Sequence, residues 1–261
     1  MEKLNIIKIG GNIVEDESTL VRFVKAFAKL PGKKILVHGG GKIASLLANK
    51  LGIEAKMVMG RRITDEETLK VVTMVYAGLA NKTIVSLLQA VGCNAIGLSG
   101  ADANTIKTVK RPVREIDYGF AGDMTTSSIN TEQIKNLIEI GLYPVFCAIS
   151  HDGSGQLLNT NADTIASALA VGLASHYKTA LIYCFEKKGV LRDINDDSSV
   201  IQHINNLNYN DLKRSGIIAD GMIPKLDNAF DALSAGVSEV IIKHADDLQN
   251  TDAGTTINQQ V

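Results

Sequence analysis

The stretch Ile6-Ile7-Lys8-Ile9-Gly10-Gly11-Asn12 is answered about thirty residues later by Ile35-Leu36-Val37-His38-Gly39-Gly40-Gly41-Lys42. In each, a run of β-forming apolar residues stops at glycines, and an amphipathic stretch of helical period follows. Strand, glycine turn and helix in succession build a parallel α/β sheet covered on both faces. Glycines there let backbone N–H groups approach an anion closely, near the positive end of a helix. Two such turns ending neighbouring strands predict one mouth for a phosphate or a carboxylate.

The alternation continues outward from these turns. Strands are predicted over residues 4–9, 34–38, 94–98, 143–149, 179–184, 238–242 and 254–258. Helices are predicted over about 18–30, 43–51, 65–91, 131–140, 162–174, 210–214 and 224–235. Asp16 or Ser18 caps the first helix, and Thr64-Asp65-Glu66-Glu67 reads as a capping box for the third. Pro224 falls in a first turn, where its missing N–H does no harm. Residues 99–130, rich in Gly, Asp, Thr and Asn, read as hairpins or loops forming a lid or substrate rim. A shift to a more polar composition near residue 175 divides the chain into halves 1–175 and 176–261, without a linker and with a continuous sheet.

At 261 residues the chain can bury a full core, as one large domain or two modest ones. Its net charge of −1 leaves no electrostatic footprint for nucleic acid or an anionic membrane, so neither partner is expected. The N-terminus enters a strand at once and no apolar run approaches the roughly 20 residues of a bilayer span, so a cytoplasmic protein is expected. Cys93, Cys147 and Cys184 each lie in an apolar run and read as buried thiols of a reducing compartment. Neither they nor the five histidines show metal-ligand spacing, and no protein-built metal site is expected.

Four constellations bear on chemistry. Lys8 sits in a strand that is apolar on both sides, at its C-terminal end, where a lysine is costly unless paired or working. Arg62, in Gly60-Arg61-Arg62-Ile63-Thr64, could hold a carboxylate with its two-pronged head, or simply form a surface ion pair. Asn159, Asn161 and Asp163 gather polar groups at the mouth of a helix, where plain capping is the alternative. Lys225, in Gly221-Met222-Ile223-Pro224-Lys225, opposes its helix dipole and so faces an anion, or else is a solvated surface residue. No Gly-Lys-Ser/Thr follows either glycine run, and no GxGxxG occurs, so P-loop and dinucleotide readings are weakened.

Taken in order, Lys8 to Asn12, His38 to Gly41, Gly60 to Thr64, Asn159 to Asp163 and Gly221 to Lys225 resemble the amino-acid kinase family, within its N-acylglutamate-phosphorylating branch. The resemblance covers nearly the whole chain. It implies a three-layer αβα sandwich with a mainly parallel sheet, an N-terminal half for the acylated amino acid and dimerisation, and a C-terminal half for ATP. The reaction implied is phosphorylation of the γ-carboxylate of N-acetyl- or N-succinyl-glutamate, in arginine biosynthesis.

By that resemblance, Lys8, Lys225, Asp163 and Gly11 are catalytic. The two lysines stabilise the transferring phosphoryl group, Asp163 organises them, and Gly11 donates from its backbone. Gly40, Gly41, Arg62, Asn159 and Asn161 bind the acceptor. Gly10, Glu186, Lys188, Gly189, Ile218 and Gly221 serve the nucleotide, and Mg²⁺ is held mainly by nucleotide phosphates. Glu186 replaces a usual Asp, and Ala101-Asp102-Ala103 a usual Lys-Asp-Gly. Arginine-inhibited relatives carry an extra N-terminal helix, so an arginine-insensitive homodimer is expected. Sister kinases for carbamate, aspartate, glutamate or UMP, and a silent nitrogen-regulatory relative, are the alternatives. The Arg62 and Asn159–Asp163 segments weigh against the former, and Lys8, Asp163 and Lys225 against the latter.

Overall fold

Eight apolar runs pair into one sheet: β1 (Lys3–Ile9), β2 (Lys33–His38), β3 (Ala95–Leu98), β4 (Tyr143–Cys147), β5 (Lys178–Phe185), β6 (His203–Ile204), β7 (Glu239–His244) and β8 (Thr255–Ile257). The computed structural model describes residues 1–218 and 222–259. The spatial order is β6-β8-β7-β5-β1-β2-β4-β3. Strands β1 to β5 and β7 run parallel, while β8 lies antiparallel to β7 and β6 parallel to β8. Ile9 stands between His38 and Cys184 in register, so β1, β2 and β5 end level at one edge.

The helices are α1 (Gly11–Glu15), α2 (Glu17–Lys29), α3 (Gly41–Lys50), α4 (Glu66–Thr73), α5 (Asn81–Ala90), α6 (Thr131–Glu139), α7 (Ala162–Leu173), α8 (Asn206–Arg214) and α9 (Ile223–Ser234). They cover both faces of the sheet, giving three αβα layers. Strand side chains alternate between faces. Leu4 and Ile6 join one core with Ile165 and Leu169 of α7, while Ile7 and Ile9 join another with Phe23 and Phe27 of α2 and Ile84 and Leu88 of α5. The same period puts Lys8 on the α7 side. A third cluster, with Ala44 and Ala48 of α3, Val72, Val75, Tyr76 and Ile149, lies beneath the second glycine turn.

Several local expectations are corrected. Asp65, not Thr64, caps α4, its carboxylate accepting the Thr68 N–H at 2.8 Å, so the capping box is absent. Thr64 is spent elsewhere, donating to the Arg62 carbonyl at 3.1 Å. The last helix before α9 starts earlier than residue 210, because Asn205 caps it and Asn208 completes a true capping box. The expected helix over 65–91 is interrupted by a π-helical stretch, Met74–Ala80, between α4 and α5. By length and composition Glu66–Ala90 is apolar enough to cross a bilayer, contrary to the sequence expectation. Here it is a core helix, with Val71, Val72, Val75, Ile84 and Leu88 buried in the fold.

Residues 99–130 include a short ribbon, Val109–Lys110 against Gly122–Asp123. Single bridges pair Gly119 with Thr64 and Ala121 with Asn159, fastening this rim over the ends of the central strands. At the opposite edge, antiparallel β8 places Ile257 beside Val240. There Lys3 Nζ pairs with Glu239 at 2.8 Å and Gln259 donates to Ser234 at 2.8 Å.

Candidate active site

Two adjoining cavities open where β1, β2 and β5 end. One, of about 180 Å³, is lined by residues including Gly39–Gly41, Arg62, Tyr76, Asn159 and Asn161. The other, of about 540 Å³, takes in Lys8, Gly10, Gly11, Lys42, Phe185 and Glu186. They share Gly39, Gly40, Gly41, Met57, Arg62 and Ala162, so the second glycine turn is their common wall.

Lys8 is buried, and its Nζ lies 2.7 Å from Asp163 Oδ1 in the first turn of α7. Strand alternation aims the lysine there, and helix capping fixes the acid: Asn161 Oδ1 accepts the Thr164 N–H at 3.1 Å. Lys225, in the first turn of α9, reaches in from the other side, its Nζ 3.8 Å from the centre of the Phe185 ring. Lys8 stands 5.2 Å from the same ring centre. Burial pushes the Lys225 ammonium below the usual lysine range; nearby Asp163 opposes that, Lys8 adds to it, and Glu186 opposes it. Two cations, one carboxylate and one aromatic face thus meet, and of these Lys8 and Phe185 line the larger cavity.

The first glycine turn offers less than its two glycines suggest. The Gly10 N–H is committed to the Cys184 carbonyl at 3.2 Å, closing the turn onto β5. Gly11 opens α1. In the second turn Gly40 has φ +155°, and a Cβ there would meet the Tyr76 ring at 3.0 Å. Gly41 begins α3, and its carbonyl accepts from Arg62 Nη2 at 2.7 Å.

Arg62 Nη2 also donates to Ser45 Oγ at 2.8 Å, while its Nη1 is buried without an acceptor among the described residues. One prong therefore holds the protein and the other is left for an anion. Asn159 lines the smaller cavity while its Nδ2 donates to Thr64 Oγ1 at 2.9 Å. Asn161 both caps α7 and lines that cavity.

The structure therefore brings together Lys8, Gly10, Gly11, Gly40, Gly41, Arg62, Asn159, Asn161, Asp163, Glu186 and Lys225. It does not bring in the rest of the expected nucleotide set. Lys188 is exposed and lines neither cavity. Gly189 is buried, and a Cβ there would meet Thr255 Oγ1 at 2.7 Å, so packing against β8 demands its small size. Ile218 is a core residue, packed in the same cluster as Leu212 and Leu226. Gly221 lies outside the described residues.

Among the lining residues that the sequence reading did not single out, Tyr76, Phe185, Lys42 and Arg61 bear on the site. Tyr76 looks like any apolar helix position, and Phe185 like the end of an apolar strand. Lys42, in the first turn of α3, contacts Asn12 and lies 3.6 Å from Glu15, tying the two glycine turns together. Arg61 lines the smaller cavity half-buried, and no carboxylate lies within ion-pair distance among the described residues. Its neighbourhood to Arg62 in sequence was the only available signal.

A family model described as the amino acid kinase family matches residues 3–244. An acetylglutamate kinase from Phocaeicola vulgatus is 57% identical over 258 residues, covering 99% of this chain and 99% of that protein. An acetylglutamate kinase from Bacteroides fragilis is 55% identical, covering 99% of this chain and 98% of that protein. Among solved structures, a carbamate kinase from Giardia has a TM-score of 0.68 at 16% identity, covering 99% of each chain, a likeness of fold alone.

Proposed function

This chain belongs to the amino acid kinase family, and on that footing we propose that it transfers the γ-phosphoryl group of ATP to the side-chain carboxylate of an N-acylated L-glutamate. The products are ADP and the N-acylglutamyl 5-phosphate, an acyl phosphate of arginine biosynthesis. The observation that supports this most is the pairing of Lys8 with Asp163 and the approach of Lys8 and Lys225 to one Phe185 ring, with Lys8 and Phe185 lining the larger cavity.

A γ-carboxylate, which ordinarily titrates at about 4.3, is ionised at neutral pH and needs no general base. What the reaction needs is cations and N–H donors, since two anions must meet while charge spreads over the transferring oxygens. The acceptor occupies the smaller cavity, with an acceptor carboxylate on Arg62 Nη1 and the polar groups of Asn159 and Asn161. Its γ-carboxylate then points past the Gly40–Gly41 turn toward Lys8. Lys8 from the N-terminal half and Lys225 from the C-terminal half flank the phosphoryl group, and Asp163 keeps both oriented rather than taking a proton.

A divalent ion accompanying ATP fits a site of this make-up only if the phosphates carry it. Asp163 is engaged with Lys8, Glu186 is exposed at the rim, and no group of three metal-ligating side chains occurs among the described residues. Bound with the nucleotide, Mg²⁺ supplies charge neutralisation on the phosphate oxygens. The working form is a homodimer, for which the exposed Met74 and Leu79 on the long helical rod offer an apolar face; light scattering tests it. Three buried free thiols support a reducing, cytoplasmic setting.

The decisive experiment traps acyl phosphate with hydroxylamine in an ATP-dependent assay. N-acetylglutamate, N-succinylglutamate and free glutamate are compared side by side. Product with an N-acylglutamate is expected, and none with either would sink the assignment. Arg61, a half-buried cation of the acceptor cavity without an ion-pair partner among the described residues, is the reason to keep the charged succinyl group beside the acetyl group.

A further inference from the structure

The strand residue ahead of the second glycine turn is His38, whose side chain is fully buried. Both ring nitrogens are engaged. Nδ1 lies 2.8 Å from the Gly39 carbonyl oxygen, and Nε2 lies 3.0 Å from Nδ2 of Asn81. Asn81, itself buried, also donates from Nδ2 to the Val145 carbonyl at 2.9 Å. Its Oδ1 accepts from Lys82 Nζ at 3.2 Å.

These contacts leave one arrangement. The Val145 carbonyl needs a donor and Lys82 an acceptor, so the amide cannot be turned round. An amide nitrogen only donates, so Nε2 of His38 accepts, and the ring proton sits on Nδ1 and is given to Gly39. Burial pushes this imidazole down to about 4, with the Lys82 ammonium adding to that, so the ring stays neutral at ordinary pH.

The Gly39 carbonyl and the Gly40 N–H belong to one planar peptide unit, so fixing the oxygen fixes the N–H. From below, the Tyr76 ring fills the space a Cβ of Gly40 would need. Tyr76 and Asn81 are five residues apart. In an α-helix of 3.6 residues per turn they would point about 140° apart. The wider turn of Met74–Ala80 closes much of that angle and brings both onto the same glycine turn. Gly97 of β3 makes the room, since a Cβ there would lie 1.9 Å from Asn81 Oδ1.

We infer that Asn81 and His38 are positioning residues for the acceptor: Asn81 locks the His38 ring, His38 holds the Gly39 peptide, and that peptide aims the Gly40 N–H into the smaller cavity. This rests on the reading of that cavity as the acceptor site. A π-helical turn thereby links β3, which lines neither cavity, to the direction of a single backbone donor.

The test is steady-state kinetics and thermal unfolding of the full chain as wild type, His38→Asn, His38→Gln and Gly97→Ala. Asparagine can keep a donor near the Nδ1 position, whereas glutamine reaches the Nε2 position and gives up the Gly39 bond. His38→Asn should raise KM for the N-acylglutamate less than about 3-fold. His38→Gln and Gly97→Ala should raise it about 10-fold or more, with KM for ATP changed less than about 2-fold. Equal acceptor shifts in the two histidine variants, or equal shifts in both substrates' KM, would overturn the inference. If His38→Gln does not fold, Asn81→Asp removes the donor to Nε2 at unchanged size; a tenfold rise supports the inference and an unchanged acceptor KM overturns it. A wild type that forms no hydroxamate refutes the reaction itself, whereas an active wild type with unshifted variants refutes only the positioning.

Discussion

Replacing Lys8 by methionine keeps the apolar stem that lies by Phe185 and removes only the ammonium group 2.7 Å from Asp163. In the proposed geometry that ammonium sits about 4 Å from the charge gathering on the transferring phosphoryl oxygens. At an effective dielectric of about 20, one unit charge at that distance is worth about 4 kcal/mol. Loss of a single preorganised donor at developing charge costs about 3–4 kcal/mol, or about 10²–10³ in rate. The two figures agree, so Lys8→Met should lower kcat by about 10²-fold or more. KM for either substrate should move less than about 3-fold. The assay is hydroxamate formation with ADP release followed in parallel, and circular dichroism confirms that the variant is folded. A kcat within about 3-fold of wild type, or a loss confined to KM, would refute the role and make Lys8 a ground-state contact.

Other outcomes follow from the same geometry. Arg62→Lys loses the fork that spans Gly41 and Ser45 while leaving Nη1 free, so KM for the N-acylglutamate should rise about 10-fold or more with kcat less affected; a shift in KM for ATP instead would place Arg62 on the nucleotide. His38 titrates near 4 when folded, against the ordinary histidine value of 6.5, so between those values the unfolded chain binds a proton that the folded chain declines. Its contribution to stability should therefore fall as pH drops from about 6.5 to about 4, by about 3 kcal/mol in all, and His38→Asn should remove that part of the slope in urea midpoints. Cys147 and Cys184 are pushed up to about 12 and Cys93 is also raised, all by burial, so at pH 8 a disulfide reagent should modify no thiol of the native protein rapidly and all three in guanidinium. Fast native labelling with loss of activity would contradict that picture.

Lys8 was legible in the sequence because a charge inside a strand apolar on both faces is an anomaly that only pairing or function resolves. The glycine turns were legible for a similar reason, since φ +155° at Gly40 is open to few other residues. The β–α alternation and most element bounds came through because apolar period changes from two to 3.6 at each junction. The cap of α4 was misjudged because Thr64 and Asp65 are both good caps, and only the tertiary bond from Asn159 to Thr64 decides between them. Tyr76 and Asn81 stayed hidden because a π-helical turn carries no residue signature and their spacing mimics an ordinary helix. Gly189 and Ile218 were expected at the nucleotide by resemblance, and their packing against β8 and in the core is something no local pattern displays.

The reversal of β8 has a use outside the chemistry. Because β8 runs back along β7, it returns the chain to the edge where β1 begins, with Gln259 held by Ser234 and Lys3 by Glu239. A short flexible linker joining Lys3 to Gln259 would cross only that edge, at the opposite end of the strands from the two glycine turns. New ends could then be cut in the polar loop over residues 192–198, so a circular permutant of this kinase should fold and turn over.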